Sequence, residues 1–329
     1  MVTEFPKIAY DYEKIRLTKL FEHDDVAAFP EPGVETDDSR AVFGPLKFPT
    51  LPADRTYNFA SFVTSIDGKI AFLDNPAGPV IAQSNALDPD GADADFWILN
   101  LMRASADVVV GGAVTLQKEP DGLVCLFDQG LEDARVQAGK PKAPWFMVCS
   151  LDGTDIPFGD TLLANQPVIF NTSPAGLKHI ERNIRNDYYV VGPYVNADAI
   201  DAAAVAEDFR KQAATKAPVI VTGEGSRPDS LAVVRILRLM GMERALIESP
   251  SMCHSFMMDG LLDEMTLNYS CIYVGGGAVG LGNGMKPFTS TNHPHTEMLS
   301  IHSHSPSFFY FRHRILYGRQ PEGYLGSVY

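Results

Sequence analysis

The chain has no apolar run near the ~18 residues that a membrane-spanning helix needs. Its opening residues, MVTEFPKIAYDYEKIRL, lack the basic-then-apolar layout of a signal peptide. Its four cysteines, Cys125, Cys149, Cys253 and Cys271, lie far apart and form no CxxC pair. A reduced, cytoplasmic protein is therefore expected. Positive charge is scarce as well: 27 Lys and Arg against 41 Asp and Glu leave a net charge of −14. That balance argues against nucleic acid or an anionic membrane as a partner. A small phosphorylated ligand stays open, because a few backbone N–H groups and one or two cations can bind one phosphate. No GxSxG elbow supports Ser/His/Asp hydrolysis.

What is present is a soluble, globular composition of 329 residues, 45% apolar and 21% charged. The stretch YNFASFVTSIDGKIAF at 57–72 organises the chain. Its first half alternates, with Phe59, Ser61, Val63 and Ser65 on one side and Ala60, Phe62 and Thr64 on the other. It ends in Asp67-Gly68, a pair suited to a tight turn. Small residues at 60, 61 and 64 let a flat ligand lie against the backbone, so the strand can serve as a site wall. Further apolar strands are expected at 107–115, running into two glycines and Thr115, and at 143–150, 167–172, 187–191, 217–222 and 244–249. Helices are expected at 91–104, 229–240 and 251–260, and residues 307–316 form an edge strand. Strands alternating with helices before a late antiparallel end indicate an α/β fold with a mostly parallel central sheet. Residues 1–55, broken by Pro30, Pro32, Pro45, Pro49 and Pro52, read as an extended arm with one short helix near 12–21. One domain over 56–318 and a tail at 319–329 complete the division.

Three glycine or serine turns could meet a phosphate. Gly275 to Gly280 fits GxGxxG, but the following LGNGMKP cannot begin the helix a dinucleotide fold requires. Thr222-Gly-Glu-Gly-Ser-Arg-Pro-Asp229 is a phosphate loop or, equally, a glycine turn capped by Asp229. Glu248-Ser-Pro-Ser251 precedes a helix whose free N–H groups can meet a pyrophosphate, although Pro250 removes one donor. The late histidines, His293, His295, His302, His304 and His313, have only Glu297 nearby and are read as loop and edge residues, so no metal is expected.

Four blocks, in order, carry a family resemblance: TSIDGKIA (64–71), LMRASADVVVGGAVTLQKEP (101–120), LIES (246–249) and MMDGLLDEMTLNYSCIYVGGG (257–277). Residues 57–317 resemble the riboflavin-pathway pyrimidine reductases, which form the C-terminal domain of the bacterial bifunctional deaminase–reductase. The resemblance implies a dihydrofolate-reductase-like fold, a homodimer and use of NADPH. It also implies reduction of a ribosylaminopyrimidine 5′-phosphate to its ribityl product. No deaminase half is expected, since the chain has no His-x-Glu with Pro-Cys-x-x-Cys. By the same resemblance, Val63, Thr64, Thr115, Glu119 and Ser150 line the cofactor groove. The turn 249–256, with Ser249, Pro250, Ser251, Met252 and Cys253, takes the pyrophosphate. Ser61, Ser84, Arg103 and Glu248 bind the substrate. The resemblance leaves the proton donor open, with Glu248, Asp67 or a bound water as candidates. The chain departs from the family in reading Glu248-Ser249-Pro250 for Glu-Gly-Gly, Glu119 for Asp, and Ser61 for Lys, Asn or Thr. Its segment DGLVCLFDQG at 121–130 has no cation. A different carbonyl or imine substrate, or a non-catalytic dimeric ligand-binding relative, are the alternatives.

Overall fold

A computed structural model describes residues 4–120 and 122–318; the tail at 319–329 lies outside the described residues. Thirteen strands follow in order: β1 (Thr18–Glu22), β2 (Glu31–Pro32), β3 (Lys47–Phe48), β4 (Tyr57–Ser65), β5 (Val108–Gly112), β6 (Trp145–Cys149), β7 (Val168–Thr172), β8 (Tyr188–Tyr194), β9 (Ala217–Thr222), β10 (Arg244–Ile247), β11 (Glu264–Ser270), β12 (His295–Ser305) and β13 (Phe308–Leu316). Eleven form one sheet in the order β1-β12-β13-β11-β4-β10-β5-β6-β7-β9-β8, while β2 and β3 pair separately. From β11 to β8 all neighbours are parallel. The pairs β11–β13, β13–β12 and β12–β1 are antiparallel.

The parallel strands are apolar on both faces because both faces are covered. On one face Phe59, Val109, Phe146 and Phe170 pack with Trp97, Ile98 and Leu101 of the helix Pro89–Ser105. On the other, Ala60, Val110, Ile169 and Ile247 pack with Val234, Leu237 and Phe256 of the helices Ser230–Leu239 and Pro250–Met258. Helix Pro89–Ser105 starts where Asp88 accepts from the Gly91 N–H at 2.9 Å, with Pro89 in its first turn. Trp97 is fully buried, and its indole N–H donates to Asp128 at 2.8 Å.

The C-terminal strand differs from its expected place. β13 is interior, between β11 and β12, because the unforeseen strand β12 and then β1 extend the sheet beyond it. No helix occupies 12–21; those residues hold a turn and then β1. The stretch before β4 also holds the helices Asp24–Ala28 and Asp37–Val42. It contributes Ile15, Val34, Val42, Leu46 and Phe48 to the main core. Thr222 and Asp229 close the glycine turn: the Asp229 N–H donates to Thr222 Oγ1 at 3.1 Å, and the Asp229 carboxylate caps the next helix through Ala232 at 2.6 Å.

Among the described residues no three His, Cys, Asp or Glu side chains gather to hold a metal, and no helix is long and apolar enough to cross a membrane. His302 is buried and stacked on Phe43 with ring centroids 4.4 Å apart. Burial, with Lys19 and Arg312 nearby, pushes its pKa down to about 4, so it is neutral at ordinary pH.

The join between parallel and antiparallel halves is ionic. Arg312 of β13 forks onto Glu264 of β11 at 2.7 and 3.0 Å, and the Tyr57 hydroxyl of β4 donates to the same carboxylate at 3.0 Å. Both charged side chains are almost fully enclosed, at 2% and 0% exposure. Removing one partner strands a buried charge, so Arg312→Met should cost about 3–5 kcal/mol. The double change Arg312→Met with Glu264→Leu should recover most of that loss in urea unfolding.

Candidate active site

In an open parallel sheet, ligands gather at the carboxyl ends of the strands. Here those ends belong to β4, β10, β5 and β6. Two loops and a helix start meet there. A methyl group placed on Gly112, at the end of β5, would sit 3.0 Å from Ser249 Oγ and 3.9 Å from Thr115 Oγ1. These three residues therefore converge. Thr115 is not at a strand end as expected: the chain turns after Gly112 into the short helix Ala113–Lys118, which carries it.

The turn after β10 begins a helix. Ser249 is its cap, Pro250 its first residue, and Ser249 Oγ accepts from the Met252 N–H at 3.4 Å. Ser249 Oγ also contacts Ser251 Oγ at 3.2 Å. Cys253 is buried and donates its N–H to the Ser249 carbonyl at 2.9 Å; burial pushes its thiol pKa up to about 12, so it is inert. Ser251 is exposed on this first turn.

Arg103 and Glu248 meet in a bidentate pair at 2.8 and 2.7 Å, and Arg103 also donates to the Leu123 carbonyl at 3.4 Å. Burial works against the arginine charge, but Glu248 more than offsets it, so the Arg103 pKa rises. Along β4, Ser61 and Val63 face the side of helix Pro89–Ser105, while Thr64 faces the opposite side. Val63 and Thr64 therefore cannot present their side chains to one flat ring.

The remaining nominated residues hold loops. Asp67 accepts from Ser65 Oγ at 2.6 Å, and from the N–H groups of Val274 at 3.2 Å and Gly275 at 2.8 Å. Those bonds, the serine foremost, pull its pKa down to about 2. Glu119 accepts from the Gly78 N–H at 2.8 Å. Ser150 donates to Asp155 and accepts from the Gly153 N–H at 2.8 Å. Ser84 is exposed and ends the short helix Val80–Gln83.

One polar group was missed by the sequence reading. Asp95, on helix Pro89–Ser105, accepts from Asn268 Nδ2 of β11 at 2.6 Å. Asn268 pairs directly with Val63, as Thr266 does with Ser61 and Ser270 with Ser65. Thr266, Asn268 and Ser270 are buried on this face. Thr266 Oγ1, Asn268 Oδ1 and Ser270 Oγ have no hydrogen-bond partner among the described residues. A signal existed: Asp95 lies on the stripe of Ile98, Leu99 and Met102, at i+3, i+4 and i+7, where a carboxylate needs a reason.

Two concavities of about 300 and 330 Å³ lie elsewhere, one lined by Asp107, Trp145 and Met242 at the amino ends of the strands, the other by Arg227 and Asp259. Neither includes a residue named above for the site, and the first has no strand carboxyl end to supply chemistry.

The fold is thus an open, mostly parallel α/β sheet flanked by helices, with a polar wall on one face of its central strand. Solved structures of pyrimidine reductase-like proteins share that fold. A pyrimidine reductase-like protein from Corynebacterium diphtheriae aligns at TM-score 0.54 and 19% identity, covering 84% of this chain and 98% of its own. RibD from Acinetobacter baumannii aligns at TM-score 0.50 and 14% identity, over 80% of this chain. The diaminohydroxyphosphoribosylaminopyrimidine deaminase/5-amino-6-(5-phosphoribosylamino)uracil reductase from Thermotoga maritima aligns at 0.50 and 15%, over 79%. The chain spans 58% and 56% of the last two. No protein-family model and no curated protein matches it.

Glu248→Gln should weaken the fork on Arg103 and leave a buried cation short of its counter-charge. A loss of about 3 kcal/mol in unfolding free energy is expected, read by urea denaturation.

Proposed function

We propose that this chain is an NADPH-dependent reductase of the riboflavin-pathway pyrimidine reductase type, with the dihydrofolate-reductase-like arrangement, acting on a small carbonyl or imine substrate. The carrying observation is the buried wall beside β4, where the Arg103–Glu248 pair and the unpartnered atoms of Thr266, Asn268 and Ser270 share one face. Buried polar groups left without partners cost about 1–3 kcal/mol each, and a polar ligand would satisfy them.

The residues present fit the cofactor. The start of helix Pro250–Met258 is positive by its dipole and offers the Ser251 hydroxyl, with Thr115 across from it. The amide and hydroxyl groups along β11 suit a carboxamide. NADPH supplies a hydride when bound. Arg103 and Ser61 orient the substrate, and Glu248 keeps Arg103 in place. Both oxygens of Glu248 accept from the guanidinium fork. Asp67 is a carboxylate at any pH well above about 2 and has no proton to give. Four unpaired cysteines, three of them buried, suit a cytoplasmic setting.

One observation favours the non-catalytic alternative: Ser249 Oγ already takes the Met252 N–H, a donor that a diphosphate would use. Titration with NADPH, read by the fluorescence of Trp97 and Trp145, separates the two. Saturable binding with oxidation in the presence of 5-amino-6-(5-phosphoribosylamino)uracil supports the reductase. Binding without turnover across carbonyl and imine substrates supports the module. Thr115→Lys should weaken binding at least tenfold with unchanged circular dichroism; unaltered affinity counts against this cofactor pose.

The reading extends to a homodimer. Tyr269, Phe309, Phe311 and His313 form a half-buried aromatic row on one face of β11 and β13, with the Tyr269 and Phe311 ring centroids 5.0 Å apart. Light scattering should give the mass of two chains, and Phe311→Arg should give one.

A further inference from the structure

Resting on the reductase reading, we propose that Asp95, positioned by Asn268, is the acid that protonates the substrate. The geometry singles it out. Asp95 hangs from helix Pro89–Ser105 onto the same face as Ser61 and Val63, and its partner Asn268 is the direct neighbour of Val63 on the next strand. Arg103 and Glu248 flank β4 from the β10 side. Adjacent strands are about 4.8 Å apart, so the two polar pairs bracket β4 across roughly 10 Å. Asn268 Oδ1 is buried without a partner among the described residues, which leaves an acceptor unused beside Asp95.

The surroundings leave Asp95 shared between its acid and carboxylate forms near pH 7. Enclosure by protein pushes its pKa up to about 7, against the opposing hydrogen bond from Asn268. The residue as a whole is half-buried. The titratable groups that face it are few. From β13 comes the Tyr310 phenol, whose own ionisation is pushed well up by burial, then by Asp95 and Asp88. Asp88, at the start of the same helix, is paired with His304 at 2.7 Å. From β11 comes the uncharged Asn268.

In the step, the C=N or C=O carbon of the substrate gains the hydride of a reduced nicotinamide. The π pair moves to the nitrogen or oxygen, which takes the proton from Asp95. The dinucleotide leaves oxidised, and the Asp95 carboxylate is reprotonated from water. General acids of this kind are worth about 10²–10⁴-fold.

The test uses the full chain labelled with ¹³C at aspartate carboxyls. One resonance should titrate near pH 7, vanish in Asp95→Asn and shift when NADP⁺ is added. Asp95→Asn should bind NADP⁺ within threefold of the parent by calorimetry. Its NADPH oxidation with 5-amino-6-(5-phosphoribosylamino)uracil should fall a hundredfold or more, with the parent's decline above pH 7 gone. If the parent binds no NADP⁺, or binds it and never oxidises NADPH, the reductase reading fails. If the parent binds and turns over but the Asp95 resonance titrates in the ordinary carboxylate range, ignores NADP⁺, or Asp95→Asn keeps its rate, that reading stands and Asp95 is not the acid.

Discussion

Strand β4 is hydrogen-bonded along both edges, to β10 on one side and β11 on the other, in uninterrupted parallel register. That double ladder fixes which residues look at helix Pro89–Ser105 and which look at helix Pro250–Met258. A slip of one residue would turn Ser61 and Val63 to the opposite face and bring Phe62 and Thr64 in their place. The position of the candidate chemistry is therefore a matter of strand register before it is one of side-chain identity. The buried Glu264–Arg312 fork, tied to Tyr57, guards that register from the antiparallel side.

The same register explains a polar interior that burial would otherwise penalise. Ser61, Thr266, Asn268 and Ser270 lie where a parallel sheet normally carries Val or Ile. Small polar side chains at these points keep the wall low and leave hydrogen-bonding capacity unused. A core optimised for stability alone would not retain them. Their place beside Arg103 and Glu248 is what separates this end of the sheet from the amino end, where a concavity of about 300 Å³ has no strand carboxyl end beside it.

Much of the architecture was legible because it is periodic. The apolar runs at Val108–Gly112, Val168–Thr172 and Ala217–Thr222 could only be covered strands, and the helices near 91–104 and 229–240 carried clear stripes. The antiparallel end was less so. β12 reads HTEMLSIHSHS, with polar residues at most positions because its neighbours and not its own hydrophobicity hold it. β1 was hidden among prolines and acids, and its five residues are all exposed. At the site, Arg103 and Glu248 could be named from the sequence, but their mutual pairing could not, since they are joined only by the fold. Asp67 looked available beside its turn; the loop at Val274 and Gly275, over two hundred positions away, claims it. Asp95 was overlooked because helix Pro89–Ser105 carries several aspartates, and only Asn268 distinguishes one of them.

The pairing of β1 with β12 sets Thr18 opposite Ser303. During synthesis the first of these segments emerges long before its sheet neighbour among the described strands exists. That border can close only after residues 19–302 have been made, so it forms late among the pairings of this sheet. Until then β12, once made, carries an unprotected rim able to recruit a strand from another molecule. The outermost ribbon of this sheet is thus a late seal on an edge that would otherwise be sticky.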